Sequence, residues 1–226
     1  MDIAGLQKLT LLDFPGKVAC TVFLAGCNFR CPFCHNAPLL DRPEVSSDEE
    51  LLRFLKTRQG LLDGVAVTGG EPLLSAGLAE LLRRIKALGY QVKLDTNGSF
   101  PKRLQALLRE GLVDCVAMDI KNAPDKYRMT TGGADVLDEV RLSAALLMQS
   151  GIDYEFRTTV VDELHEPEDF SAIGQWLAGA KQFFLQCYKD SENVLRQGLH
   201  APSREKLECC KKALEQYIPN VQIRGI

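Results

Sequence analysis

Short apolar runs rich in β-branched residues alternate with longer segments of helical period along this chain. Segments 18–24 (VACTVFL), 65–68, 91–95, 115–120, 154–161 and 182–186 read as strands, and 221–224 as a last one. Segments 46–58, 75–88, 101–110, 134–150, 167–178 and 203–217 read as helices. In 75–88, Leu78, Leu81, Leu82 and Ile85 recur at helical spacing and Gly89 stops the run. Ser46 or Ser47 caps the first helix, with acidic residues in its first turn. Strand runs such as VAV and CVAMDI are apolar without alternation, as strands covered on both faces must be. Six or seven strand–helix repeats predict parallel strands joined by crossover helices. That count falls short of the eight units of a full barrel. The expected fold class is therefore α/β: an incomplete (β/α)6-type barrel of parallel strands with outer helices, or an open sheet. No low-complexity linker divides the chain, so residues 1–226 are expected to form a single domain.

Charge narrows the partners. Lys plus Arg is 27 and Asp plus Glu is 30, a net of −3. A nucleic-acid binder needs a basic excess to meet phosphates, so no nucleic-acid partner is expected. Residues 1–17 are broken by Asp2, Lys8, Asp13 and Pro15 and form no apolar signal core. No 18-residue apolar run is present, so no membrane span is expected and the default location is the cytoplasm. Eight cysteines are many for such a chain. In a reducing compartment, clustered cysteines point to metal before disulfides.

The polar residues concentrate where strands end. Gly69, Gly70 and Glu71 follow one strand; Asp95, Thr96 and Asn97 another; Asp119 and Lys121 a third. In parallel α/β folds the C-terminal strand edge is where ligands bind.

Cys27, Cys31 and Cys34 lie in GCNFRCPFCHN with spacing C-x3-C-x2-C. Random placement would give roughly 0.01 such triplets in a chain of this composition, so the cluster needs a reason. A structural zinc site would need a fourth ligand, such as His35 or Cys20. An iron–sulfur cluster normally takes four thiolates, so three leave one iron open to a small ligand.

This motif, with an aromatic (Phe33) before its last cysteine, resembles the radical S-adenosylmethionine (radical SAM) superfamily. The likeness extends to LDFPGK (12–17), TGGEPLL (68–74), LDTNGS (94–99) and AMDIK (117–121). Together these resemble the glycyl-radical-enzyme activating enzymes, most of all those serving anaerobic ribonucleoside-triphosphate reductase. The resemblance implies a [4Fe–4S] cluster held by Cys27, Cys31 and Cys34, with SAM on the fourth iron. It implies reductive cleavage of SAM and abstraction of a hydrogen atom from a glycine of a partner enzyme. It also implies an electron donor such as flavodoxin or ferredoxin.

The same resemblance assigns roles. Gly69 and Gly70 would let the backbone approach the methionine amino group, with Glu71 adding negative charge; the alternative is a simple strand-to-helix turn. Phe33 would border the adenine or pack on the core. His35 would shape the adenine pocket or cap a loop. Asp95, Thr96, Asn97 and Asp119 are candidate SAM contacts, and Asp95 and Asp119 candidate ligands of a monovalent cation. Lys121 would meet the SAM carboxylate, and Arg157 the carboxylate or ribose. The alternatives are an Asp119–Lys121 pair tying strands and a rim salt bridge at Arg157.

The chain departs from the pyruvate formate-lyase activating type, which carries a late histidine near SAM; here Gln186 or Cys187 stands at that place. No cysteine-rich insert lies between Asn36 and Leu51. Cys20 and Cys115 read as core residues. Cys209 and Cys210 lie on a charged helix and point about 100° apart, which argues against a second cluster. Roles for Cys187, Cys209 and Cys210 do not follow. His165 and His200 read as surface residues. Competing readings are a radical SAM enzyme on a small molecule (like the deazaguanine synthases), a pyruvate formate-lyase-type activase, or a zinc or iron–sulfur module without catalysis.

Overall fold

The computed structural model describes residues 3–41 and 46–226. The chain divides into two compact units: residues 1–28, 38–96 and 100–117, and residues 29–37, 97–99 and 118–226.

The first unit holds β1 (Ile3–Thr10), β2 (Ala19–Leu24), α1 (Asp48–Lys56), β3 (Gly64–Gly69), α2 (Leu78–Ala87), β4 (Gln91–Thr96) and α3 (Pro101–Arg109). β2, β3 and β4 run parallel in register, with Cys20 opposite Val65 and Val65 opposite Val92. α1 starts on a capping box: the Ser47 hydroxyl accepts from the Glu50 amide while the Glu50 carboxylate takes the Ser47 amide. The buried faces of α1 and α2 (Leu51, Leu55, Leu81, Leu82 and Ile85) supply the core together with Val65, Val67, Val92 and Leu94. The helix expected over 75–88 begins later, at Leu78, because Pro72–Leu74 first form a separate 3-10 turn.

β1 is absent from the sequence-based expectation, and it pairs antiparallel with β2. Its residues from Gly5 to Leu9 are only partly buried or exposed, so it lacks the apolar run that marks the other strands.

β5 (Cys115–Asp119) begins in the first unit. The second unit continues with α4 (Tyr127–Thr130), α5 (Leu137–Gln149), β6 (Asp153–Val160), α6 (Pro167–Trp176), β7 (Phe183–Cys187), α7 (Arg204–Glu215) and β8 (Val221–Arg224). β6, β7 and β8 are parallel. Buried Phe156, Phe170, Ile173, Phe183, Leu185, Leu207 and Leu214 form its core. Across β7, Arg224 makes a two-pronged pair with Glu155, at 3.1 and 3.0 Å, and its guanidinium lies 3.3 Å from the centre of the Phe184 ring. Within the first unit the strand order is β1-β2-β3-β4, and within the second β6-β7-β8. This is the α/β class expected, with one antiparallel strand added.

Candidate active site

In the first unit, β3 ends at Gly69 with φ of 120°. A Cβ there would lie 2.2 Å from the Leu24 carbonyl oxygen, and one on Gly70 would lie 2.0 Å from that of Gly26. The Gly70 amide donates to Leu24 O and the Glu71 amide to Gly26 O, both at 2.9 Å. The two glycines thus let the turn after β3 lie directly on the backbone leading into Cys27. Protein backbone, before any ligand, already requires glycine here.

Glu71 is 1% exposed. Its Oε1 accepts from the Leu73 amide (2.9 Å) and from the Thr96 hydroxyl (2.8 Å). One carboxylate oxygen therefore caps its own turn and holds the end of β4. Asp95 meets Lys93, two residues earlier on the same strand face, with Nζ 2.5 Å from Oδ1. The Lys93 side chain is 2% exposed, a buried ammonium that sequence reasoning did not single out.

In the second unit, Asn97 folds into its own loop, its Oδ1 accepting from the Ser99 amide (3.0 Å) and hydroxyl (2.6 Å). The Ser143 hydroxyl donates to Gly98 O at 2.6 Å, fixing the same loop against α5.

Asp119 at the end of β5 carries a cation on each oxygen: Lys121 Nζ on Oδ2 at 2.8 Å and Arg157 Nε on Oδ1. Burial alone would raise the Asp119 pKa, but Arg157 and then Lys121 outweigh it and hold the carboxyl well below the usual range. Burial would lower Lys121, and Asp119 overrides it upward. The triad carries one positive charge in excess.

Phe33, 3% exposed, packs edge-on to His165 with ring centres 6.2 Å apart, and the Lys121 ammonium lies 5.9 Å from its ring centre. His165 is not the surface residue expected: it is fully buried. Its Nδ1 accepts from the Val161 amide at 3.1 Å, so Nε2 carries the proton and donates to the Lys121 carbonyl at 2.9 Å. Burial lowers its pKa, keeping the ring neutral. His200 is exposed as expected and pairs with Glu163. His35 places Nε2 2.5 Å from Lys189 O, with its ring beside Tyr188.

Tyr127, at the start of α4, was also missed by sequence reasoning. It is 1% exposed, and its hydroxyl has no hydrogen-bond partner among the described residues. The Lys121 and Asp119 charges and the Cys31 thiol all lie near enough to act on it.

Burial pushes the Cys20 and Cys210 thiols up to about 12, so both remain protonated at neutral pH. Cys209 is exposed while Cys210 is buried, as their angular separation on α7 requires. Cys115 is half-buried. Among the described residues no three His, Cys, Asp or Glu side chains are gathered to hold a single metal ion.

The donor chemistry fits the groups that the motif implies. Three cysteines at fixed spacing suit a cluster. The positive Asp119–Lys121–Arg157 triad suits an anionic group, and a buried phenol without an acceptor suits a bound one. A monovalent cation fits less well: Asp95 and Asp119 already face cations of the chain itself.

Comparison with known proteins agrees with this chemistry. Residues 21–175 match the radical SAM superfamily. A Methanocaldococcus jannaschii protein named for glycyl-radical enzyme activation is 30% identical over 232 residues, covering 99% of this chain and 96% of its own. A pyruvate formate-lyase-activating enzyme of Listeria monocytogenes is 26% identical, covering 94% of this chain and 95% of its own. Streptococcus suis SuiB bound to S-adenosylmethionine shares the fold with a TM-score of 0.70 at 14% identity, over 91% of this chain and 52% of that one. The chain belongs to the radical SAM superfamily and, within it, to the glycyl-radical-enzyme activating enzymes. That superfamily uses a [4Fe–4S] cluster and SAM. Among the described residues no helix is long and apolar enough to cross a membrane.

Proposed function

We propose that this chain activates an anaerobic ribonucleoside-triphosphate reductase by installing a radical on one of its glycines, acting in the cytoplasm as one radical SAM core domain over residues 1–226. The end-to-end likeness to the M. jannaschii glycyl-radical enzyme activating protein carries the reading. Cys27, Cys31 and Cys34 would hold the cluster through their thiolates. Bound there, the cluster and SAM supply one-electron cleavage of SAM and hydrogen-atom abstraction from the partner's glycine. A flavodoxin or ferredoxin supplies the electron.

The chain's own residues bind and orient. Lys121 and Arg157 keep one net positive charge around Asp119 and receive the SAM carboxylate. Lys121 also caps the Phe33 ring, so the carboxylate site and the aromatic of the cysteine loop are set together. Phe33 and His35 shape the adenine side. Gly69, Gly70 and Glu71 hold the turn beside Cys27, where the methionine amino group would meet backbone oxygens. Asp95, Thr96 and Asn97 frame the end of β4, with Asp95 held in place by Lys93.

The pyruvate formate-lyase partner is the second reading, favoured by the Listeria relative. Against it stand Gln186 and Cys187 where that type carries a histidine. Anaerobic incubation with SAM, reductant and each candidate partner decides between them by electron paramagnetic resonance. The proposal expects a glycyl doublet on the reductase and none on the lyase. A doublet on the lyase alone refutes it.

A further inference from the structure

Tyr127 presents a problem that the fold by itself does not solve. Its ring is packed, edge-on to Trp176 with centres 6.3 Å apart. Phenylalanine would pack the same way. The hydroxyl is fully buried, and no described residue accepts its proton. The Lys121 amide, the backbone group that acts on the oxygen, is itself a donor and offers the phenol proton no acceptor. A buried donor without an acceptor is costly, and natural structures rarely keep one without a reason.

Position supplies the reason. The turn that Tyr127 opens is fastened to the cysteine loop at its far end. The Arg30 amide donates to Thr131 O at 2.9 Å. Gly132 has φ of 77°, and a Cβ there would lie 2.4 Å from Arg30 O. Arg30 immediately precedes Cys31, which is 5% exposed. Three charged or ionisable groups act on the phenol: Lys121, Cys31 and Asp119. The Lys121 ammonium has no lone pair to offer. Asp119 already has a cation on each oxygen. The Cys31 sulfur is left as the acceptor, weak as a thiol and much stronger once bound to iron as thiolate.

We propose that Tyr127 is a cluster-binding residue whose O–H donates to the Cys31 sulfur once that sulfur is metal-bound. The proposal rests on Cys31 being a cluster ligand. A hydrogen bond to a cluster sulfur withdraws electron density and raises the reduction potential. Tyr127 and the Lys121 ammonium would together make the cluster easier to reduce from the Cys31 side.

The test is Tyr127→Phe, which removes one hydroxyl and keeps the ring. Both proteins are reconstituted with iron and sulfide, and no partner enzyme is present in any arm. The expected variant retains full cluster iron and has a more negative midpoint potential without SAM. Its SAM affinity stays within about twofold of wild type. Its metal-free form melts at the same or a higher temperature, because an unmet buried donor is gone. An unchanged potential overturns the proposal. If the potential is unchanged but SAM binding weakens by about tenfold or more, the acceptor is SAM and the sulfur assignment falls. A lower melting temperature for the metal-free variant also overturns it, since the hydroxyl then has a partner within the chain. A wild-type protein that assembles no cluster overturns this proposal and the radical SAM site together, whereas an intact cluster indifferent to Tyr127→Phe overturns the proposal alone.

Discussion

Thr96 donates its hydroxyl hydrogen to Glu71, and the accepting oxygen is the one that also takes the Leu73 amide. The end of β4 and the turn after β3 thus share a single buried acceptor. Thr96→Val keeps the shape and removes the donor, and should cost about 1 kcal/mol of stability. Glu71→Ala strands both donors and should cost roughly 2–3 kcal/mol. Urea titration of the metal-free protein measures both, and equal midpoints for wild type and Thr96→Val would contradict the shared acceptor.

Asp119→Asn should be far more damaging. It leaves Lys121 and Arg157, mostly buried, beside each other without their carboxylate. Breaking such a group typically costs roughly 3–5 kcal/mol. Because the native pKa of Asp119 lies below the ordinary value, its stabilisation is complete above about pH 4. It fades as pH falls from there through the depressed native value. The stability gap between wild type and Asp119→Asn, followed by urea titration, should therefore narrow on acidification. A gap that stays constant down to strongly acidic pH argues against the ion triad.

The glycines of the turn after β3 should not tolerate a side chain. Gly70→Ala drives a methyl into the Gly26 carbonyl, which is backbone and has nowhere to go. The expected loss exceeds about 4 kcal/mol, or the cysteine loop detaches and iron loading fails. Gly89→Ala is the control: it has positive φ but nothing within 4 Å of the added methyl, so only about 1–2 kcal/mol of backbone strain is expected. Similar melting temperatures for the two variants would show that the close approach is not needed.

Lys93 should make the Asp95 region indifferent to added monovalent ions. Replacing potassium chloride by choline chloride at equal ionic strength should leave the wild-type melting temperature and SAM affinity unchanged. Lys93→Met leaves Asp95 without its ammonium, so the variant should melt lower and recover partly in potassium. A wild type that needs potassium would mean that the tethered ammonium does not serve as the counter-ion.

Much of the fold was legible because both-face burial writes itself as apolar runs, as in the VAV of β3 and the CVAMD of β5. β1 was not, because a half-exposed antiparallel strand containing Gln7 and Lys8 carries no such run. The cysteine motif and the strand-end residues were legible from spacing. What lay hidden was the side chains whose burial contradicts their type. His165 sits among Asp162, Glu163 and Glu166 in sequence, yet the Val161 amide turns it inward. Lys93 is a charged residue inside a strand run and drew no reading of its own; only the covered strand makes it internal. Tyr127 lies in a polar stretch (KNAPDKYRMTT) with no periodicity to betray a buried ring.

The Arg224–Glu155 pair has a consequence for how the structure opens. Glu155 is 6% exposed, so separating β8 would strand a carboxylate away from water. Terminal strands usually fray first, and their amides exchange with solvent fastest. Here the amides of β8 should instead exchange together with those of β6, as one cooperative unit latched by a guanidinium lying on Phe184.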